Sequence, residues 1–184
     1  MIRRFAPIES LEDLVQRARE ARSAARLDEA TDLYRQATRE AVRFARPFVV
    51  VDCLNALGAM AYQTRDRGRA ARRFDLALRL ARSSGHDRGE ATALMNLGTI
   101  AFASGDHRTA ITHYRRGRWA YHRARSAAGE SRALDTLASV LADVGRPEAA
   151  ARCRRRARQL TGVYYGTPDP AYDSVDAAAE PALR

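Results

Sequence analysis

Apolar and small residues recur along the chain with a period of 40 residues. When the sequence is shifted against itself by 40 positions, leucine, small and aromatic columns align in a fixed order. The leucine column contains Leu14, Leu54, Leu94 and Leu134. The small columns contain Ala18, Gly58, Gly98 and Ala138; Ala30, Ala70, Ala110 and Ala150; and Ala37, Ala77, Gly117 and Ala157. The aromatic column contains Tyr34, Phe74 and Tyr114 and fails at Arg154. Alanine is frequent in this chain, but the constant order of the columns indicates an internal repeat.

Each repeat unit predicts two helices. In the third unit, apolar residues recur at steps of three and four, which is typical of one buried helical face. The first such stripe is Leu94, Leu97, Ile100 and Ala101, and the second is Ala110, Ile111, Tyr114 and Gly117. Between the stripes Ser104, Gly105 and Asp106 break the pattern, and Asp106 is a candidate N-cap for the second helix.

Capping and proline signals predict helix starts in the other units. Pro47 and Pro147 are expected at or near first helical positions, where the missing N–H costs nothing. Ser10 followed by Asp13 resembles a capping box. Small residues such as Gly58 and Ala110 are expected where the two helices of a hairpin cross closely. The aromatic column is expected to fill the space between successive hairpins.

These residues resemble the tetratricopeptide repeat family. The third unit carries Asn96-Leu97-Gly98, Gly105-Asp106, Ala110-Ile111 and Tyr114 in the order of the family pattern, and the second unit matches almost as well. The period of 40 exceeds the usual 34 and resembles long-helix variants of the family, and the proline usual at the end of each unit is missing. The resemblance implies an all-α fold, a right-handed α-solenoid of about four antiparallel helix hairpins.

The domain organisation follows from the repeat. Residues 1–10 are a lead-in, and residues 11–162 are a repeat domain with units 11–50, 51–90, 91–130 and 131–162. Residues 163–184 hold four carboxylates against one arginine and three prolines without apolar periodicity, which predicts a disordered acidic tail. One hypothesis is that the segment 164–180 folds back across basic surface and competes with a partner.

The resemblance also implies a concave groove, lined by the first helix of each unit. Family ligands contact the second, fifth, ninth and twelfth columns of these helices. The corresponding residues are Glu12, Val15, Arg19, Arg22, Asp52, Asn55, Ala59, Tyr62, Thr92, Met95, Thr99, Phe102, Arg132, Asp135 and Ser139. Asn96 is a further candidate, because some family members clamp a C-terminal carboxylate with Lys and Asn, although this chain has no lysine. Tyr62 and Phe102 fit either the groove or the core.

Composition narrows the classes of protein to which the chain can belong. No apolar run is long enough to span a membrane, and the basic start lacks the apolar segment of a secretory signal. Two cysteines a hundred residues apart exclude a disulfide scaffold and form no metal-binding spacing, so a cytoplasmic location without cofactor or metal is expected. All 32 basic residues are arginine, which either reflects composition or marks a binding surface.

Catalytic motifs are absent from the sequence. There is no HExxH, paired cysteine, GxSxG or phosphate-cradling glycine loop. His86, His107, His113 and His122 are interpreted as surface residues, and Cys53 and Cys153 as small core residues. Trp119 and Tyr121 are expected to pack between repeats.

The sequence therefore predicts a non-catalytic adaptor that binds a protein or peptide in its groove. By family analogy, bacterial regulation or assembly of a biosynthetic complex is expected, with homo-oligomers possible through the solenoid ends and no membrane partner. The alternative is an arginine-rich nucleic-acid-binding or transcription-regulatory accessory protein, because residues 152–158 are dense in arginine. The third interpretation is a small-molecule or enzymatic site in the groove, with Tyr62, Asp52 or Asp135 as polar groups.

Overall fold

Eight α-helices make up the described part of the chain, residues 10–161 of a computed structural model. No β-strand occurs among these residues. The helices are α1 Leu11–Ser23, α2 Leu27–Arg43, α3 Pro47–Gln63, α4 Arg67–Ser84, α5 Asp87–Ala103, α6 His107–Arg123, α7 Ala127–Asp143 and α8 Pro147–Thr161. The predicted lead-in up to residue 9 and the predicted acidic tail lie outside the described residues.

Consecutive helices pack against each other along the whole described chain. The hairpins α1–α2, α3–α4, α5–α6 and α7–α8 have the most extensive contacts, and each hairpin packs on the next through α2–α3, α4–α5 and α6–α7. Helices α3 and α5, the first helices of neighbouring hairpins, also contact each other directly. The fold is thus an all-α solenoid, as the sequence predicts.

The seven interhelical turns share one backbone design and recur every 20 residues. Each turn has one residue in the left-handed region: Ala25, Ala45, Arg65, Gly85, Gly105, Arg125 and Gly145. In the turn after α1, for example, the Ala25 N–H donates to the Arg22 carbonyl and the Arg26 N–H to the Ala21 carbonyl. This bonding satisfies the last carbonyls of the helix without the proline that is usual in the family.

Local capping signals were read correctly from the sequence. Ser10 and Asp13 form a capping box, in which the Asp13 N–H donates to Ser10 Oγ over 3.1 Å. Asp106 caps α6 by accepting from the Thr109 N–H at 3.0 Å. Pro47 and Pro147 are the first residues of α3 and α8.

The aromatic column joins hairpins, as predicted, but it also explains two glycines differently from the prediction. Phe74 packs with Leu97 and Ile100 of the next hairpin. A Cβ atom on Gly58 would lie 2.5 Å from the Phe74 ring, and one on Gly98 would lie 2.7 Å from the Tyr114 ring. The expectation that backbone crossing requires these glycines is wrong, because an aromatic ring of the same hairpin occupies the space.

The last hairpin buries only one side of its second helix. Ala150, Cys153 and Ala157 of α8 pack into the core against α7. Arg154, which stands where the other units have an aromatic residue, is exposed. Helix α8 is therefore a polar cap, in agreement with the requirement that a terminal repeat present a polar outer face.

Candidate binding pocket

A concave pocket of about 200 Å³ lies between the first helices of the first three hairpins. It is lined by Val15, Arg19 and Arg22 of α1, Asp52, Cys53, Asn55, Ala56 and Ala59 of α3, Thr92 and Asn96 of α5, and Tyr34 of α2. The 40-residue repeat explains this arrangement, because it brings equivalent faces of α1, α3 and α5 side by side. The pocket wall is mixed in character, with apolar, amide and charged groups together.

Asn55 contributes a buried hydrogen-bond acceptor to this wall. The residue is 5% exposed, and its Nδ2 donates to the Gly89 carbonyl oxygen over 3.1 Å. Because that carbonyl can only accept, the amide nitrogen must face it and Oδ1 must point the other way. No donor among residues 10–161 reaches Asn55 Oδ1. A ligand N–H would satisfy this acceptor, whose burial without a partner costs stability.

Charged groups of both signs stand at the pocket. Arg19 and Arg22 of α1 are exposed, and Asp52 of α3 is exposed opposite them. Nε2 of His86 lies 3.1 Å from Asp52 Oδ1, and the His86 ring stacks on Phe48 with centroids 4.4 Å apart. The side chain of Asp52 is therefore held from α5 while its carboxylate remains accessible.

The two titratable groups beneath the pocket are not poised for chemistry near neutral pH. Burial raises the pKa of the Cys53 thiol to about 11, which keeps it protonated. Burial also raises the pKa of Tyr34, against the opposing effect of Arg22 and Arg19. The interpretation of Cys53 as a core residue is confirmed, since it is 1% exposed.

Six of the predicted groove residues line this pocket, and six do not. Those that line it are Arg19, Arg22, Asp52, Asn55, Thr92 and Asn96. Those outside it are Tyr62, Met95, Thr99, Phe102, Arg132 and Asp135. Tyr62 and Phe102 are half-buried and pack against core clusters, and Thr99 accepts a hydrogen bond from the Tyr114 hydroxyl at 3.2 Å. Arg132 and Asp135 are exposed on α7.

Sequence reasoning missed Tyr34 and His86 as parts of the site. Tyr34 belongs to the aromatic core column, and only the packing of α2 behind α1 and α3 shows that it also lines the pocket. His86 was interpreted as a surface residue, which is wrong, because its side chain is only 14% exposed between Phe48 and Asp52. No signal in the sequence relates His86 to Asp52, since the two are 34 residues apart.

Three further expectations about aromatic and histidine residues have different outcomes. Tyr121 packs between repeats as predicted, with its ring against Gly129 of α7. Trp119 does not, because it retains 39% exposure. His113 was interpreted as a surface residue, but it is half-buried, and its Nδ1 has no partner among the described residues.

A second polar cluster joins α6 to α7 away from the pocket. Arg118 and Glu130 form a buried ion pair, with Nη1 of Arg118 3.1 Å from Oε1 of Glu130. Nδ1 of His122 lies 3.0 Å from the other carboxylate oxygen. The guanidinium carbon of Arg118 also lies 4.5 Å from the centroid of the Trp119 ring. The carboxylate of Glu130 thus orders the exposed end of α6.

Two searches of the described residues gave negative findings. Within residues 10–161, no group of three or more His, Cys, Asp or Glu side chains is arranged to hold a metal ion. None of the eight helices combines the length and the apolar character that crossing a membrane requires.

Comparison with known proteins identifies the repeat. Residues 51–118 match the family model of the tetratricopeptide repeat. No curated protein matches the chain in sequence. Among solved structures, BtubC from P. vanneervenii is similar, with TM-score 0.70 and 20% identity over 91% of this chain and 70% of that chain.

Two regulatory proteins also share the fold. Aspartyl phosphate phosphatase F from Bacillus subtilis has TM-score 0.77 and 14% identity over 85% of this chain and 41% of its own length. The Rap conjugation gene regulator of the plasmid pLS20, solved with the Phr* peptide, has TM-score 0.73 and 17% identity over 87% and 44%. This chain spans less than half the length of these two proteins. At such identities the likeness concerns the fold alone.

Proposed function

Because the chain belongs to the tetratricopeptide repeat family, we propose that it is a non-catalytic adaptor that binds a peptide or a segment of another protein in the pocket of α1, α3 and α5. Regulation, or assembly of a biosynthetic complex, is the role that such binding would serve. A cytoplasmic location remains part of this proposal.

The observation that carries the proposal is the buried acceptor Oδ1 of Asn55. An extended peptide presents backbone N–H groups along its length, and one of them would pair with this oxygen. The apolar parts of Val15, Ala56 and Ala59 beside it would contact a side chain of the bound segment. A pocket of about 200 Å³ is smaller than a drug-sized ligand site and fits a short stretch of peptide.

The charges around the pocket fit a peptide better than a uniformly charged ligand. The guanidinium groups of Arg19 and Arg22 can bind a carboxylate with two parallel hydrogen bonds each. Asp52 on the facing helix would pair with a basic side chain or an amino terminus. A ligand with both signs of charge satisfies the two sides of the pocket at once.

The similar folds support this function without transferring any activity. The plasmid regulator was solved in complex with a peptide, so a solenoid of this form can hold one. The name of the Bacillus subtilis protein describes a phosphatase, but at 14% identity that activity is not carried to this chain.

The proposal is tested by selecting displayed random peptides on the wild-type protein. The enriched peptides are then titrated against Arg19→Gln with Arg22→Gln, and against Asn55→Ala. We expect each variant to bind them at least about tenfold more weakly, since charge-assisted and buried hydrogen bonds contribute roughly 1.5–3 kcal/mol.

The matched control removes two exposed arginines from outer helices, Arg39→Gln with Arg72→Gln, and is expected to bind normally. Thermal unfolding of Asn55→Ala establishes that the variant is folded at the assay temperature. Failure to enrich any peptide, or equal binding by wild type and both pocket variants, would contradict the proposal.

A further inference from the structure

Charge is divided unequally between the first and second helices of the hairpins. The first helices α1, α3, α5 and α7 together hold five arginines and nine carboxylates. The second helices α2, α4, α6 and α8 hold nineteen arginines and six carboxylates. Because the first helices line the pocket, the excess positive charge lies on the side of the solenoid that the pocket does not use.

The excess is least neutralised on α6 and α8. Helix α6 contains no carboxylate and α8 contains only Glu148. At 100° per residue, Arg108, Arg116 and Trp119 fall within about 80° around α6, and Arg152, Arg155 and Arg156 within about 100° around α8. The repeat of 40 places Arg116 and Arg156 at equivalent positions of neighbouring hairpins. These six residues are called the arginine face.

The arginines of this face are available for a partner. Each is exposed or half-buried, and none of the five forms an ion pair with any carboxylate in the part of the chain that the structure describes. On α2 and α4, by contrast, Arg35 pairs with Asp32 and Arg79 with Asp75. The acids that neutralise the outer helices of the first two hairpins are missing from the last two.

Trp119 adds an aromatic surface to the arginine face. Its indole is 39% exposed, with the guanidinium of buried Arg118 against it and the edge of His122 beside it. Because Glu130 fixes Arg118 from α7, the ring is held in place without being covered. A held, partly exposed aromatic ring among unpaired arginines is the combination that binds unpaired bases and their phosphates.

We propose that the arginine face binds single-stranded nucleic acid, with Arg108, Arg116, Arg152, Arg155 and Arg156 on the phosphates and Trp119 stacked on a base. An anionic membrane fits the surface less well, because peripheral membrane helices also insert several apolar side chains. Trp119 is the one large exposed hydrophobic residue on α6 and α8 within residues 10–161.

The test uses Trp119 as a built-in reporter, because it is the only tryptophan of the chain. The full chain is titrated with a thymidine homopolymer of about 20 nucleotides while tryptophan fluorescence is recorded. We expect saturable quenching, and an affinity that falls about 100-fold between roughly 50 and 200 mM salt if all five arginines contact phosphates.

Variants separate this face from general electrostatic attraction. Arg155→Gln with Arg156→Gln should bind on the order of tenfold more weakly, whereas Arg39→Gln with Arg88→Gln, which removes the same charge from α2 and α5, should bind like wild type. Anisotropy of a labelled homopolymer measures Trp119→Phe, for which we expect roughly a severalfold loss, since a smaller ring stacks less. Circular dichroism verifies that each variant is folded.

Three results would overturn the proposal. Equal weakening by the two paired-arginine variants would show nonspecific attraction to the whole molecule. Equal binding of a duplex of the same length, with no effect of Trp119→Phe, would exclude recognition of unpaired bases. Quenching by phosphatidylserine vesicles but not by the homopolymer would assign the face to a lipid surface.

Discussion

Gly58 and Gly98 illustrate how a single position depends on its partner in space. Each faces the aromatic ring that lies 16 residues later in the same hairpin, Phe74 or Tyr114. The rings are almost fully buried, at 1% and 2% exposure, so they cannot swing away to make room. The small column and the aromatic column are therefore one packing unit, although they belong to different helices.

Gly58→Ala tests this packing unit. A methyl group placed 2.5 Å from the Phe74 ring forces the ring or the helix to move. We expect a loss of about 1–3 kcal/mol in the free energy of unfolding, measured by urea denaturation. Combining Gly58→Ala with Phe74→Leu should cost less than the sum of the two single changes. An additive result would contradict direct contact as the cause.

His113 gives the protein a pH dependence that can be traced to one ring. Burial lowers the pKa of His113, and the nearby charges of Arg116 and Arg82 lower it further. In the unfolded chain the same histidine titrates near its ordinary pKa of about 6.5. Below that pH the unfolded state binds more protons than the folded state, so stability decreases as the pH falls.

We therefore expect the free energy of unfolding to be constant near neutral pH and to decline below about pH 6.5. The decline should be smaller in His113→Gln, in urea denaturation at about pH 7.5 and 5.5. Replacement of exposed His107 by Gln is the matched control. An unchanged pH dependence in His113→Gln would assign the effect to other groups.

At the scale of the elements, the turns repeat twice as often as the side-chain pattern. Glycine occupies the left-handed position in three of the seven turns, where it suits the backbone without strain. Ala25, Ala45, Arg65 and Arg125 adopt the same conformation although a Cβ atom disfavours it. These four turns are formed because helix packing on both sides determines where the chain must reverse.

Arg65→Gly should relieve this strain. Arg65 has φ of 64° and is exposed in the turn between α3 and α4. We expect the variant to be more stable by about 0.5–1 kcal/mol, because the cost of the left-handed conformation exceeds the added freedom of glycine in the unfolded chain. Gly105→Ala, at φ of 79°, should change stability in the opposite direction. Midpoints of guanidinium denaturation compare both variants with wild type.

The helices themselves could be predicted because their information is local. Apolar spacing, Ser10, Asp106 and the prolines at 47 and 147 each act within one turn of the helix that they mark. The turns at Arg65 and Arg125 could not be predicted from their residue types, since arginine carries no preference for the left-handed region.

The whole molecule has two faces of different chemistry. The pocket uses the first helices of hairpins one to three, and the arginine face uses the second helices of hairpins three and four. They share no residue, and the core of the solenoid separates them. An adaptor of this form can hold two ligands of different classes at once.

The two sites should therefore be independent. Arg155→Gln with Arg156→Gln is expected to leave peptide affinity unchanged, and Arg19→Gln with Arg22→Gln to leave homopolymer affinity within about twofold. Isothermal titration of each variant with both ligands measures this. Mutual exclusion of the peptide and the homopolymer would show that the two sites are coupled or overlap.

The amino-acid sequence by itself determined the repeat, its two-helix unit and most of the pocket-lining positions. These follow from periodicity, because residues 40 apart experience equivalent surroundings in any stacked array. Asp52, Asn55 and Thr92 could be placed on one surface for this reason.

Only the tertiary structure decided which of those positions form a pocket and what each group does there. The orphan acceptor of Asn55, the contact of His86 with Asp52 and the exposure of Trp119 each depend on atoms that are distant in sequence. The same holds for the arginines, whose number was evident from composition. Their gathering on one side depends on which helices face inward, and that is a property of packing rather than of any local segment.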